Sequence, residues 1–353
     1  MAFNRGEWSE LYAIFYLLSN KKLKIVDSNM KMITDDLFIV ESVIAEKKKG
    51  NIEFKIDGDY IIPIVLGNEM QPISIQEVNN FRLAIFKGIT NSGVGGGAFK
   101  LDDVDQWLRN RNIYSTYKGK SGNKQDLSLI NLDLRREDSF KLGYSVKSQL
   151  GSPATILNAS SQTNFKYKIK GLNVHELEQV NEINTRTKLI DRLNKIYELG
   201  GIIEFDSVTS EVFEKNLRMI DMSLPKALGE ILLNSYKTSE KNLLNLFKAS
   251  TIYEDEMIAI KKMKDFLLAC SLGMFPGTIW NGEFSADGGL VIISLDSNVY
   301  ILDLVYYRKE VENYLIYNTK LDSPSSKRYS MLELYEENNE IYFTLNLQVR
   351  YIK

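Results

Sequence analysis

Residues 126–150 read DLSLINLDLRREDSFKLGYSVKSQL. Two β-prone runs, DLSLINLDL and KLGYSVKSQL, flank the polar turn RREDSF, a pattern that predicts an antiparallel hairpin. Facing residues across such a pair follow from where the turn is centred. Centring it between Arg136 and Glu137 sets Asp126, which opens one strand, opposite Lys147, which closes the other. Ser145 then shares the face of Lys147, because strand side chains alternate with period two. Asp133 falls opposite Phe140 near the turn, too far along the strand to share a site with Lys147. One reading of the pair is a solvated cross-strand ion pair worth roughly a few tenths of a kcal/mol. The other is an acid and a cation held together to receive a phosphate.

Composition narrows the classes of function. The chain has 353 residues, 44% apolar and 25% charged, so it can bury a full core and has ordinary globular content. A formal net charge of −2 means that any hold on nucleic acid must come from a local basic surface. A single cysteine, Cys270, and a single histidine, His175, exclude a disulfide framework and thiolate or histidine-rich metal sites. Carboxylates, lysines and hydroxyls remain as the chemistry-bearing groups. No apolar run reaches about 18 residues and the N-terminal apolar stretch carries acids, so a soluble, cytoplasmic protein is expected.

Along the chain, Trp8, Leu11, Tyr12, Phe15 and Leu18 recur at helical spacing and predict a helix over 6–19, with Glu7 and Glu10 near its positive end. Short strands follow in LFIVESVIAE, NIEFKI and YIIPIVL, then a helix at about 75–87. Gly93, Gly95, Gly96 and Gly97 lack the Gly-Lys-Ser/Thr of a phosphate loop, so they read as a plain loop. Beyond the hairpin a strand is expected at 164–170, helices over about 174–272, and strands again from Trp280, including LVIISLDSNVYILDLVYY, ENYLIYNT and EIYFTLNLQVRYI. The order predicts an α+β fold in three weakly marked parts, 1–172, 173–275 and 276–353. His175 reads as a surface residue and Cys270 as a buried small hydrophobe.

An aspartate opening one strand, a lysine closing the next and a glutamate on a preceding helix resemble the PD-(D/E)XK nucleases. The chemistry explains the residue types. Mg²⁺ takes hard oxygen ligands and keeps several waters, so one or two carboxylates suffice, and a nearby ammonium stabilises charge on the attacked phosphate. Asp126 is the expected principal ligand and Lys147 the cation, with Ser145 where that superfamily usually has an acid. Glu10 is the carboxylate expected to compensate, with Glu7 second. Three stretches, RGEWSELYAIFYLL, GYSVKSQLGSPATILNASSQTNFKYKI and SSKRYSMLELYEENNEIYFTLNLQVRYI, resemble the HpaII family of type II restriction endonucleases. That resemblance implies a nuclease core, Mg²⁺-dependent cleavage of double-stranded DNA at CCGG with 5′-phosphate and 3′-hydroxyl ends, a homodimer, and a DNA methyltransferase as genetic partner. Ser145 keeps a second reading open, a catalytically inactive protein that binds DNA.

Guanine offers major-groove acceptors that arginine and lysine can meet. Lys327 and Arg328, in the basic loop SPSSKRYS at 323–330, are candidates for that contact, against a hairpin loop with solvated charges. Asn158, Ser160, Gln162 and Asn164 follow the hairpin directly and are candidates for DNA contact, against a role in capping local structure.

Overall fold

The computed structural model describes residues 2–46, 50–92, 97–113 and 124–352. Gly93, Gly95 and Gly96 lie outside them. The chain opens with helix α1 (Arg5–Asn20), then β1 (Ile25–Val26), β2 (Met32–Thr34), β3 (Phe38–Ala45), β4 (Ile52–Asp57), β5 (Tyr60–Val65), β6 (Asn68–Glu69) and β7 (Ile73–Ser74). Helices α2 (Ile75–Asn91) and α3 (Asp102–Asn110) lead to the hairpin β8 (Leu127–Asp133) and β9 (Asp138–Ser148). Next come β10 (Thr155–Leu157), β11 (Asn164–Lys170), α4 (Val174–Asn181), α5 (Lys188–Glu198), β12 (Ile202–Val208), α6 (Glu211–Ile220), α7 (Leu224–Thr238), α8 (Leu243–Lys248) and α9 (Glu256–Leu272). The last part holds β13 (Gly289–Ile293), β14 (Val299–Asp303), α10 (Leu304–Tyr317), β15 (Thr319–Leu321), β16 (Tyr335–Glu337), β17 (Glu340–Asn346) and β18 (Val349–Tyr351).

The fold is mixed α+β. Among the described residues the central sheet has eleven strands in the order β2-β1-β14-β13-β9-β8-β3-β4-β5-β6, with β7 also on β5. Strand β13 runs parallel to β9 and antiparallel to β14. Its side chains divide between two cores: Leu290 and Ile292 pack with α7, α9 and α10, while Val291 and Ile293 pack with α1 and α2. Being buried on both faces, it reads as a continuous apolar run, VII, and not as an alternating one. Two smaller sheets, β10-β18-β15 and β12-β11-β17-β16, complete the fold. The three expected parts therefore share sheets, since β13 and β14 enter the central sheet and β11, β12 and β17 pair together.

The hairpin forms, but its register differs from the expectation by two residues. Leu127 faces Tyr144 and Asp133 faces Asp138, so the turn spans 134–137. The cause is local. Asp133 accepts hydrogen bonds from the N–H groups of Arg135 (2.8 Å) and Arg136 (3.3 Å), drawing both residues into the turn tip. Glu137 closes the turn with φ of 55°, its N–H bonded to the Asp133 carbonyl.

Two other expectations are corrected. Strand β12 interrupts the stretch expected to be helical, because Ile203 and Phe205 pack against the core of α7, α9 and α10 while β12 pairs with β11. The tract DLVYY…ENYLIY is a helix, α10, and not strand. Asp303 caps it by accepting the Tyr306 N–H at 2.7 Å, and Val311, Tyr314 and Leu315 bury one helical face. Tertiary burial overrides the β-propensity of its valines and tyrosines.

Asp303 itself is fully buried. Burial pushes its carboxyl up to about 6, against the opposing N–H donors of α10. A raised folded-state value favours the proton in the native protein. The contribution to stability is therefore complete below the unfolded value of about 3.9 and is lost as pH rises through about 6. Asp303→Asn, which keeps an N-cap without the charge, should gain stability relative to wild type on going from pH 5 to pH 8, by on the order of 1–3 kcal/mol. Urea unfolding at both values checks it, and a pH-independent difference would refute the assignment.

Candidate active site

Helix α1 is buried on nearly every side. A helix that is apolar all round must be covered all round, and here the sheet and α2 do so. A capping box fixes its start, with Glu7 N–H bonded to Asn4 and the Glu7 carboxylate accepting the Asn4 N–H at 2.8 Å. Glu7 is thereby occupied in the helix cap, so Glu10 is the better placed of the two acids. Trp8 Nε1 donates to the Phe99 carbonyl (3.2 Å) and Ser9 Oγ to Ser148 Oγ (3.0 Å). The Ser9 bond seats the first turns of α1 over the C-terminal end of β9, while the Trp8 bond ties them to the segment before α3.

A cavity of about 350 Å³ opens at that junction. Arg5, Ser9 and Glu10 line it from α1, Asp126 and Lys147 from the hairpin, and Gly151 from the segment after β9. The Asp126 N–H donates to the Tyr144 carbonyl at 2.9 Å, continuing the ladder past the first paired residue. Asp126 Oδ2 accepts the Val146 N–H (2.7 Å) and the Ser145 hydroxyl (3.2 Å). Neither bond uses Oδ1. Lys147 Nζ donates to Ser145 Oγ at 2.7 Å.

The register explains this chain of bonds. With Leu127 facing Tyr144, Asp126 comes beside Ser145 instead of Lys147. The expected direct pair between Asp126 and Lys147 is replaced by a bridge, in which Ser145 accepts from the ammonium and donates to the carboxylate. A hydroxyl can do both at once, which an ionised carboxylate cannot. A shift of two residues preserves the face, so Asp126, Ser145 and Lys147 still converge. Ser145 is only 1% exposed.

Three residues at or beside the cavity escaped the sequence reading. Arg5 and Ser9 come with Glu10 from one end of α1, and their spacing relative to Glu10 was the signal available. Lys124, two residues before Asp126, is the third. Its Nζ lies 4.5 Å from the centre of the Phe275 ring and donates to the Ile156 carbonyl at 3.4 Å. Burial pushes the Lys124 ammonium down to about 8; Lys147 adds to the push and Asp126 opposes it. Among the described residues no group of three or more His, Cys, Asp or Glu is close enough to cage a metal.

The candidate DNA-contact residues divide. Lys327 and Arg328 are exposed, with the Arg328 guanidinium 5.5 Å from the Tyr329 ring. Asn158 is exposed as well. Ser160 caps a 3₁₀ turn by accepting the Gln162 N–H (3.2 Å), Gln162 accepts from the Ser210 hydroxyl (2.7 Å), and Asn164 accepts from Asn346 (2.6 Å). Tyr329 donates to the Ala159 carbonyl at 2.9 Å, so the basic loop lies against the segment that leaves the cavity. His175 is exposed at the start of α4, and Cys270 is buried, its thiol pushed up to about 12 by that burial. No described helix is long and apolar enough to cross a membrane.

Ser145→Ala should remove the bridge while Asp126 keeps the Val146 N–H. The expected cost is about 1–2 kcal/mol in urea unfolding, because two half-buried charged partners each lose a hydrogen bond to a buried hydroxyl. Unchanged stability would mean that the hydroxyl does not hold the two ions together.

The sequence model of the family described as HpaII restriction endonuclease matches residues 4–351 of the chain. The type II restriction enzyme HpaII of Haemophilus parainfluenzae is 32% identical over 363 residues, spanning 99% of this chain and 98% of that protein. No solved structure gives a significant match.

Proposed function

Since the chain belongs to the HpaII restriction endonuclease family, we propose that it is a type II site-specific deoxyribonuclease that hydrolyses double-stranded DNA at CCGG. One observation carries the placement of its chemistry: Glu10, Asp126 and Lys147, from three separate elements, line a single cavity. The mixed sheet, with Asp126 ahead of β8 and Lys147 near the end of β9, supports a core of the PD-(D/E)XK kind.

The donor set suits Mg²⁺. Asp126 and Glu10 offer hard carboxylate oxygens, and two such ligands leave room for the waters and the phosphate oxygen that this ion prefers. When bound, Mg²⁺ supplies polarisation of the phosphoryl group and a more acidic water. The protein's own groups do the rest. Val146 N–H and Ser145 hold Asp126 in one orientation. Lys147, oriented by Ser145, presents an ammonium where negative charge builds on the phosphate. Attack by water and release of the 3′ oxygen leave 5′-phosphate and 3′-hydroxyl ends. The bridging role of Ser145 gives the position of the missing acid a use in an active site, as an orienting group for Asp126 and Lys147. A palindrome presents the same half-site twice, so a two-fold homodimer is the simplest arrangement for cutting both strands.

Lys147→Ala should melt as wild type does yet lose at least about 100-fold in cleavage. Asp126→Ala and Glu10→Ala should abolish Mg²⁺-dependent cutting while a cognate duplex still binds in Ca²⁺. Asp133→Ala, which removes turn bonds but no group of the cavity, is the control at the far end of the hairpin, and wherever it folds with β8 and β9 in the native register it should cut. Activity of Asp126→Ala alongside a dead, folded Asp133→Ala would move the site elsewhere.

Base reading is assigned to the basic loop. Arg328→Ala should weaken binding to a CCGG duplex by about 1–3 kcal/mol, and binding to random DNA much less. Equal losses on both duplexes, with a shallower salt dependence, would make Arg328 a phosphate contact. Sedimentation with and without the duplex tests the dimer.

A further inference from the structure

The cavity receives a second cation from α1, whose presence helix stability does not explain. Arg5 is the first residue of the helix, where the positive end of the dipole disfavours a cation. Its side chain lines the cavity that also holds Glu10, Asp126 and Lys147. Nη2 donates to the Ser92 hydroxyl at 3.0 Å, and Ser92 in turn donates to the Ile89 carbonyl at 2.8 Å, at the C-terminal end of α2. The guanidinium is thus held from one side by a second helix.

Gly151 makes room for it on the other side. A Cβ at position 151 would sit 2.5 Å from Arg5 Cδ and 2.8 Å from Nη1. The backbone there does not require glycine, since Gly151 is not among the residues with positive φ. What requires it is the arginine lying across it. The glycine in QLGS, directly after the strand that carries Lys147, therefore has a side-chain reason.

We propose that Arg5 is a further catalytic residue, donating to a non-bridging oxygen of the scissile phosphate, and that Gly151 holds the space for this placement. The proposal rests on the nuclease reading above. A guanidinium has five N–H donors in a planar fork, enough to keep Ser92 and still meet a phosphate oxygen. The charge balance points the same way. Two carboxylates in the cavity repel a phosphodiester, and Lys147 alone offsets only one of them. Arg5 offsets the other, so among the charged residues that line the cavity two cations face two carboxylates.

The test uses Arg5→Ala, Gly151→Ala, their double variant and Arg5→Lys, with single-turnover cleavage in Mg²⁺, duplex affinity in Ca²⁺ and thermal melting. Arg5→Ala is expected to slow cleavage by at least about 100-fold, with affinity in Ca²⁺ within about fivefold of wild type. Arg5→Lys should recover only part of that loss, because an ammonium cannot reproduce the fork. Gly151→Ala should melt normally, since its clash is with a flexible side chain, yet it too should cut slowly. The double variant should be no slower than Arg5→Ala, because both changes remove the same contact. Cleavage by Arg5→Ala within about threefold of wild type would overturn the proposal. So would losses that multiply in the double variant, which would give Gly151 a separate role. If Arg5→Ala does not fold, Gly151→Ala and Arg5→Lys decide, and full activity in both refutes the assignment. Wild-type cutting that Asp126→Ala abolishes shows that the nuclease reading stands, so a failure here falls on Arg5 alone. A wild type that does not cut removes both.

Discussion

The register of β8 against β9 is the constraint on which the site depends. Asp133 sets it by accepting two N–H groups from the turn tip, and every facing pair down the hairpin inherits that choice. A slip of one residue would send Asp126 and Ser145 to opposite faces and dissolve the site. Asp133 is itself fully buried and is bound by the Tyr306 hydroxyl at 2.5 Å. Burial pushes its carboxyl up, but the bonds from Tyr306, Arg135 and Arg136 prevail and leave it below the ordinary carboxylate value. The ionised form is thereby retained in the fold, and with it the turn. The β14–α10 corner, which supplies Tyr306, thus buttresses a hairpin whose far end lines the cavity.

Parallel pairing of β13 with β9 adds the second constraint. It places Leu290 beside Ser145 and Ile292 beside Lys147, so the bridge of hydrogen bonds lies next to an apolar strand. Polar groups there must be satisfied or they cost stability. The bridge meets that demand with a neutral hydroxyl between two ions. Lys124 shows the same economy, since its buried ammonium lies over an aromatic ring and against a carbonyl.

Helix α1 supplies the third element because its burial leaves it little freedom. The Ser9 bond to Ser148 sets its first turns over the end of β9, and the Trp8 bond to Phe99 holds them from another side. One helix end can therefore deliver an acid and a cation to the cavity at defined positions, which a mobile loop could not do. The exposed basic loop at 323–330 is tied to the segment that leaves the cavity by the bond from Tyr329 to the Ala159 carbonyl.

Much was legible in the sequence where the signal is local. Helical spacing marked α1, and the polar turn between β-prone runs marked the hairpin with its acid, hydroxyl and lysine on one face. Those features depend on period and turn chemistry, which a single strand of text contains. The register was missed by two residues because it hangs on one side chain, Asp133, bonding back into its own turn. The helix at α10 was missed because burial against distant elements outweighed local propensity, whereas β12, a β-prone run lying between helices, takes its place by pairing with the distant β11. That Arg5 lies over Gly151 could not be read at all, since the contact joins residues 146 positions apart. Local chemistry was thus written in the sequence, and only the packing of α1 against the end of β9 decided which charges meet.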